Sequence, residues 1–257
     1  MRALVVSDIH GNVHALEAVL GVARGHTGGG FDELWNLGDV VGYGARPNEV
    51  IDMLRGLKAE RSIHVRGNHD RVCCGLSSSQ GFNPIAAAAA AWTRQQLRPD
   101  NREWLRELPM GPIQATERAL CAHGSPLHED QYIVSMRDAW TPLQRMPTEL
   151  AFFGHTHLQG GFSRREEEWA EDYPEYVADD RVEAFTMEVP LGSRHLINPG
   201  AVGQPRDGDW RAAFAIYDEA QEQVTFFRIP YDVAAAQAAI REAGLPERLA
   251  ARLGLGR

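Results

Sequence analysis

The sequence predicts a single compact α/β domain over residues 1–257, and three observations carry that prediction. Short apolar runs alternate with helix-patterned stretches from the first residue onward, as expected of buried strands covered by crossover helices. With 257 residues, 44% of them hydrophobic and 24% charged, the chain can bury a sizeable core. No apolar run comes near the about 20 residues that a membrane-spanning helix needs; the longest, residues 85–92, holds eight.

The elements follow in order. Residues 3–6 (Ala-Leu-Val-Val) read as a first strand, because a signal peptide would stay apolar where Asp8 and His10 intervene; a cytoplasmic location is therefore expected. Asn12 caps a helix over 13–23, residues 34–37 form a second strand, and Pro47 starts a helix over 47–58. Residues 63–65 are a third strand. Asn83 followed by Pro84 opens a helix over 85–97, which makes the alanine run 86–91 a tightly packed helix. Residues 119–122 and 150–153 are the fourth and fifth strands. Beyond them, 196–198, 214–217 and 224–227 suit antiparallel strands of a second sheet, and 232–252 closes as one or two alanine-rich helices around Gly244.

The net charge of −9 is local: residues 164–188 hold ten acidic residues against three arginines, a net −7. Trp169, Tyr173, Tyr176 and Phe185 interleave with these acids, so an acidic insertion or cap is expected at about 160–195, as a solvated hairpin anchored by its aromatic residues. No basic run marks a nucleic-acid surface, and nothing specifies an oligomeric state. The three cysteines, two of them adjacent at 73 and 74, imply no disulfide framework and fit a reducing compartment.

Function is written where the five early strands end: Ser7-Asp8-Ile9-His10-Gly11, Leu37-Gly38-Asp39, Arg66-Gly67-Asn68-His69-Asp70, Ala122-His123-Gly124 and Gly154-His155-Thr156-His157. Each end offers a potential metal ligand beside a glycine. The carboxyl ends of parallel strands share one edge, so these motifs should converge. Asp8, Asp39 and Asn68 with His10, His123, His155 and His157 mix oxygen and nitrogen donors, which suits Mn, Fe, Zn, Co or Ni better than Mg or Ca. They are too many for one ion but enough for two sharing a carboxylate at about 3.5–4 Å, the arrangement of phosphoryl hydrolysis.

Taken in order, D-x-H, G-D, G-N-H-D, H-G and G-H-T-H resemble the calcineurin-like metallophosphoesterase family over residues 8–157, and residues 197–206 (Ile-Asn-Pro-Gly-Ala-Val-Gly-Gln-Pro-Arg) look like the substrate-side loop of its small bacterial members. The resemblance implies a four-layer α/β/β/α sandwich of two packed mixed sheets. It also implies two divalent ions bridged by Asp39: Asp8, His10, Asp39 and His157 would hold one, and Asp39, Asn68, His123 and His155 the other. Manganese is the ion expected, with Fe, Zn, Ni or Co as alternatives. A metal-bridging hydroxide would then attack phosphorus, its pKa lowered toward about 7. His69 would stabilise the transition-state oxygens or protonate the leaving alkoxide, with Asp70 orienting it. Asn198 and Arg206 would join Asn68 in binding phosphate, or else fix their Gly/Pro-rich loop.

Departures from the pattern bear on the substrate. Protein Ser/Thr phosphatases of the superfamily read G-D-x-V-D-R-G, whereas Gly38-Asp39-Val40-Val41-Gly42-Tyr43-Gly44 puts Gly42 and Tyr43 in the places of the second aspartate and the arginine. Losing that phosphate-gripping cation favours a singly charged diester, so the expectation is a phosphodiesterase acting on a small phosphate ester or nucleotide. Arg46, Arg71 or Arg206 could replace the cation, which keeps phosphomonoesterase, protein phosphatase and dinucleoside-polyphosphate hydrolase as alternatives. A non-catalytic scaffold on the same fold is the alternative from another class; the complete ligand set and His69 argue against it. Cys73 and Cys74 are expected to pack, and His14, His26, His64, His128 and His195 to serve ordinary structural roles.

Overall fold

A computed structural model describes residues 1–25, 30–177 and 180–257. Three strand–helix units lead: β1 (Arg2–Val6), α1 (Val13–Gly25), β2 (Glu33–Asn36), α2 (Pro47–Gly56), β3 (Arg61–His64) and α3 (Asn68–Cys73). Asn12 caps α1 by accepting the Ala15 N–H at 3.2 Å, and Pro47 occupies the first turn of α2, where no N–H is needed. Next come α4 (Pro84–Gln96) and α5 (Pro99–Glu107). Ala86, Ala89, Ala90 and Thr93 form the buried stripe of α4, small side chains that let it pack closely.

The second half holds β4 (Ile113–Gln114), β5 (Ala119–Cys121), α6 (Met136–Arg145), β6 (Leu150–Phe152), β7 (Gly160–Arg165), β8 (Glu168–Asp172), β9 (Glu183–Glu188), β10 (Arg194–Asn198), β11 (Ala212–Asp218), β12 (Gln223–Ile229), α7 (Val233–Glu242) and α8 (Glu247–Leu253). Gly244, left-handed at φ 69°, separates the last two helices. No described helix is long and apolar enough to cross a membrane.

Two six-stranded mixed sheets result, ordered β3-β2-β1-β11-β12-β9 and β4-β5-β6-β10-β7-β8. Alternate residues of β1 face opposite ways: Ala3 and Val5 join Trp35, Phe152, Tyr217 and Phe226 between the sheets, while Leu4 and Val6 pack with Leu16, Val19 and Val50 under the helices. The outer face of the second sheet, through Leu120, Phe153 and Leu196, meets Ala139 and Leu143 of α6. The layers are therefore α/β/β/α, and burial on both faces is what makes the strands read as unbroken apolar runs. Trp35 is fully buried at the centre, edge-on to Phe152 at 5.4 Å.

Two expectations need correction. The late strands do not form a sheet of their own: β11 and β12 extend the first sheet antiparallel to β1, and β10 enters the second sheet parallel to β6 and antiparallel to β7. Nor is the stretch 160–195 a cap laid over the fold. Its first half is a hairpin, but β7 pairs along its length with β10, β8 edges the second sheet, and β9 edges the first. Its acidic residues read as solvated because edge strands keep an open side.

Candidate metal centre

The carboxyl ends of β1, β2, β3, β5 and β6 meet at one lip of the sandwich, and the loops leaving them gather the predicted ligands. Asp8, His10, Asp39, His155 and His157 all take left-handed backbone, with φ of 53°, 49°, 51°, 68° and 61°. For a residue bearing a Cβ this costs about 1–2 kcal/mol, so the surroundings must enforce it. Main-chain hydrogen bonds do: Asp8 N–H donates to Gly38 O at 3.0 Å, His10 N–H to Asp39 O at 2.9 Å and Gly154 N–H to His123 O at 2.8 Å. The loop 199–206 threads between the first and last motifs, Gly203 N–H reaching Asp8 O at 3.0 Å and Arg206 N–H reaching His157 O at 3.2 Å. At Gly67 a Cβ would strike the Asp39 carboxylate, so the third loop needs glycine there.

Two groups of donors result: Asp8, His10 and His157, and Asp39, His123 and His155, each with its donor atoms within 4.8 Å of one another. In the first, Asp8 Oδ1 is 3.3 Å from His157 Nε2 and 3.9 Å from His10 Nε2. Asp39 stands between the groups, its Oδ2 at 3.6 Å from both His10 Nε2 and His123 Nε2. Asn68, at the head of α3, brings Oδ1 to 3.1 Å from His123 Nε2.

The hydrogen bonds test whether cations fit. His10, His123 and His157 aim Nδ1 at the carbonyls of Val41, Leu37 and Gln204, at 3.1, 2.9 and 2.6 Å. A carbonyl only accepts, so Nδ1 carries the proton and Nε2 keeps its lone pair. Yet His10 Nε2 faces His157 Nε2 at 3.3 Å, His123 Nε2 faces an amide oxygen, and the buried Asp8 Oδ1 has no hydrogen-bond partner. Facing lone pairs repel, and about 3 Å is the separation of two nitrogens each bound about 2.1 Å from one ion. The donors therefore fit a divalent cation in each group. Without one, burial pushes Asp8 up to about 7 and raises Asp39, while it lowers His10 and His157 and takes His155 down to about 2.

His69 donates its backbone N–H to Asp39 Oδ1 at 2.8 Å, and its buried ring packs on His10, Tyr43 and Phe82 with centroids 4.9, 4.4 and 4.5 Å away. Its Nδ1 has no partner, and burial with Arg206 nearby lowers its pKa to about 3. The expected support from Asp70 is absent. Asp70 Oδ1 accepts the Val41 N–H at 3.1 Å and Oδ2 the Gly67 N–H at 3.0 Å, tying the second loop to the third. Successive helical residues point about 100° apart, so Asp70 turns to the loops while His69 faces the cluster. Of the two roles expected of Asn198, its contacts fit the fixing of loops: buried, it donates to Gly154 O at 3.0 Å and Thr156 Oγ1 at 2.9 Å and accepts from Gly200 N–H at 2.9 Å, so both amide hydrogens are spent on the protein.

Of the arginines expected to replace the missing cation, Arg71 is held by Glu129 and Asp130 at 2.6 and 2.8 Å, and Arg46 by Glu49 at 3.7 Å. Arg206 pairs with no carboxylate among the described residues; its guanidinium lies 6.0 Å from the centre of the Tyr43 ring and donates to Gln204 Oε1 at 3.4 Å. Sequence reasoning missed two aromatic walls. Tyr43, left-handed at φ 62°, packs on His10 at 4.6 Å; its signal was its place in the altered second motif. Tyr132, half-exposed, stacks on His155 at 3.9 Å and belongs to no motif.

Cys73, Cys74 and Cys121 are free thiols packed in apolar clusters outside both donor groups. His64 packs on Trp104 at 5.3 Å, His128 accepts the Asp130 N–H at 3.3 Å, and His195 bonds Ser193 Oγ at 2.8 Å. His14 sits on α1, and His26 lies outside the described residues.

The family model for calcineurin-like phosphoesterases matches residues 1–159. An uncharacterized protein of Methanocaldococcus jannaschii is 33% identical over 255 residues, 98% of this chain and 97% of that one. The symmetrical bis(5'-nucleosyl)-tetraphosphatase of Nitrosococcus oceani is 39% identical over 83 residues, 31% of this chain and 28% of that one. Among solved structures, a metallophosphoesterase from Sphaerobacter thermophilus aligns with a TM-score of 0.83 at 41% identity, covering 100% of this chain and 99% of that one. A hypothetical protein from Pyrococcus horikoshii aligns at 0.79 and 20% identity over 100% and 98%, a likeness of fold alone.

Proposed function

This chain belongs to the calcineurin-like phosphoesterase family, and on that premise we propose that it is a dinuclear metal-dependent phosphodiesterase acting on a small phosphate ester or nucleotide. The observation that carries the reading is Asp39 Oδ2, placed at the same 3.6 Å from a nitrogen of each donor group, as a shared carboxylate requires. Asp8, His10, Asp39 and His157 would hold one ion, and Asp39, Asn68, His123 and His155 the other. Manganese, ahead of Fe, Zn, Ni or Co, would supply Lewis acidity toward the phosphoryl oxygens and acidify a water.

The protein's own residues do the rest. Left-handed turns hold the donors in place beforehand, which limits reorganisation when the substrate arrives. His69 borders the cluster as a neutral imidazole that can hydrogen-bond a phosphoryl oxygen. Arg206 contributes a guanidinium that has no carboxylate partner among the described residues, and the aromatic faces of Tyr43 and Tyr132 would flank the ester substituents. A phosphorus with two ester substituents carries one negative charge, and the small number of fixed side-chain cations suits that charge. We place the protein in the cytoplasm, where three unpaired thiols belong.

Protein stripped with EDTA and reloaded with Mn²⁺ is expected to turn over bis(4-nitrophenyl) phosphate with a kcat/KM at least about tenfold above that for 4-nitrophenyl phosphate. The reverse preference would replace the diesterase by a monoesterase. Silence toward both with every metal tried would leave the scaffold reading.

A further inference from the structure

A second cluster of donors surrounds a cavity of about 580 Å³ between α3, α4, α5 and the segment that joins α3 to α4. Ser77, Ser78 and Ser79 of that segment line it with Arg94 of α4 and Arg102 of α5. Among the described residues no aspartate or glutamate lines it, nor does any of the seven metal-site donors. Ser77 Oγ and Arg102 Nε are buried with no hydrogen-bond partner. A buried donor left without an acceptor is costly, so both call for an oxygen that the surrounding chain does not supply. Arg102 Nη2 donates to the main-chain oxygen of Arg94 at 2.6 Å, a neutral acceptor that orients the guanidinium without compensating its charge. Arg94 lies over the turn at Gly75, where a Cβ would come within 2.9 Å of its Nη2. Neither arginine makes an ion pair with an acidic side chain among the described residues. In a chain of net charge −9, two such guanidiniums on one cavity suit an anion from outside. The small side chains of the α4 alanines leave the room, and a cavity of this size is in the range of small-molecule pockets.

We propose that this cavity is a second, non-catalytic site that binds a phosphate dianion, free or carried by a small phosphorylated molecule, through Arg94, Arg102 and Ser77. Forked guanidiniums from two helices and a hydroxyl from a third segment suit a tetrahedral oxyanion, whose oxygens point in several directions, better than a planar carboxylate. The inference stands apart from the metal-centre reading and does not rest on it. A bound dianion would tie the serine segment to α4 and α5. That segment runs on into Phe82, which packs on His69 at 4.5 Å, so the site adjoins the metal centre through one short stretch of chain.

Inorganic phosphate and ribose 5-phosphate, each titrated calorimetrically into the full chain in EDTA, test the site with the metals removed. A Kd below about 1 mM is expected for at least one of them, raised at least about tenfold in R94A/R102A and about threefold or more in S77A. It should be unchanged in R206A, whose lost guanidinium borders the metal centre instead. Ribose 5-phosphate binding more tightly than phosphate assigns the cavity to a phosphorylated small molecule, and binding no more tightly assigns it to free phosphate; either upholds the site. The tighter ligand should also raise the thermal midpoint of the unaltered protein but not that of R94A/R102A. No binding of either ligand by the unaltered protein at about 10 mM overturns the proposal. So does a Kd that R94A/R102A leaves unchanged, or one that rises in R206A instead. Because Arg102 also holds the end of α4, R94E takes the place of the double variant, with the same criterion, if that variant fails to fold.

Discussion

Asp8, His10 and His157 are each at most 1% exposed, whereas His155 keeps 5% beneath the half-exposed Tyr132 and Asn68 is only partly buried. The first group is rooted in β1, an interior strand, and closed over by the loop 199–206, whose Gln204 carbonyl pins His157. The second draws Asp39 from the loop after β2, His123 from the loop after β5 and Asn68 from the first residue of α3, while β6 serves both groups, sending His155 to the second and His157 to the first. Charge differs as well: Asp8 belongs wholly to the first group, while the second has a neutral amide and its share of Asp39. Two groups of similar donors thus have unequal access and unequal charge. Under the proposed function, the sealed group would keep its ion while the open group would exchange its ion and meet the substrate.

The contrast can be broken at its hinge. Asp39→Ala removes the shared carboxylate, so both ions should be lost on dialysis and kcat should fall by about 10³ or more; elemental analysis that still found two ions per chain would refute sharing. Next in size come the paired variants His155→Ala and His157→Ala. The first should weaken only the open group, by about 100-fold, and leave one ion per chain after dialysis; the second should release the sealed ion and lower the thermal midpoint as well. Equal losses from both would erase the difference in access. The smallest effect is expected from Tyr132→Ala, a rise in KM of about three- to tenfold with metal content and kcat little changed. A fall in metal content instead would make Tyr132 a prop for His155 rather than a wall of the entrance.

The candidate ligands were legible because each motif that carries them ends a strand and includes a glycine, a local arrangement that spacing reveals. The partition of strands between sheets was not, since the residues of β10 and β11 mark each as a strand without naming its neighbour, and only tertiary packing decides that one pairs with β6 and the other with β1. Asp70 misled for a related reason: adjacency to His69 suggested contact, but helical geometry separates neighbours that a loop would have kept together. Residue type left Asn198 open between phosphate binding and loop fixing, and only its amide contacts to Gly154 and Thr156 decide for the loop. The carbonyls of Val41, Leu37 and Gln204, which set the ring orientation of three histidines, leave no trace in residue type at all. Tyr132 was equally silent, because its closeness to His155 exists only once the segment after β5 folds back over the end of β6.

The threading of 199–206 through the cluster bears on the order of events during translation. Asp8 and His10 leave the ribosome well before Gln204, whose carbonyl orients His157, and before residues 212–218, which form the β11 that borders β1. A nascent chain lacking these has the seven donors but neither the imidazole alignment nor the closed wall. Firm uptake of metal should therefore wait until residues 199–218 have emerged and folded back, which denies the half-made site a firm grip on an unsuitable ion.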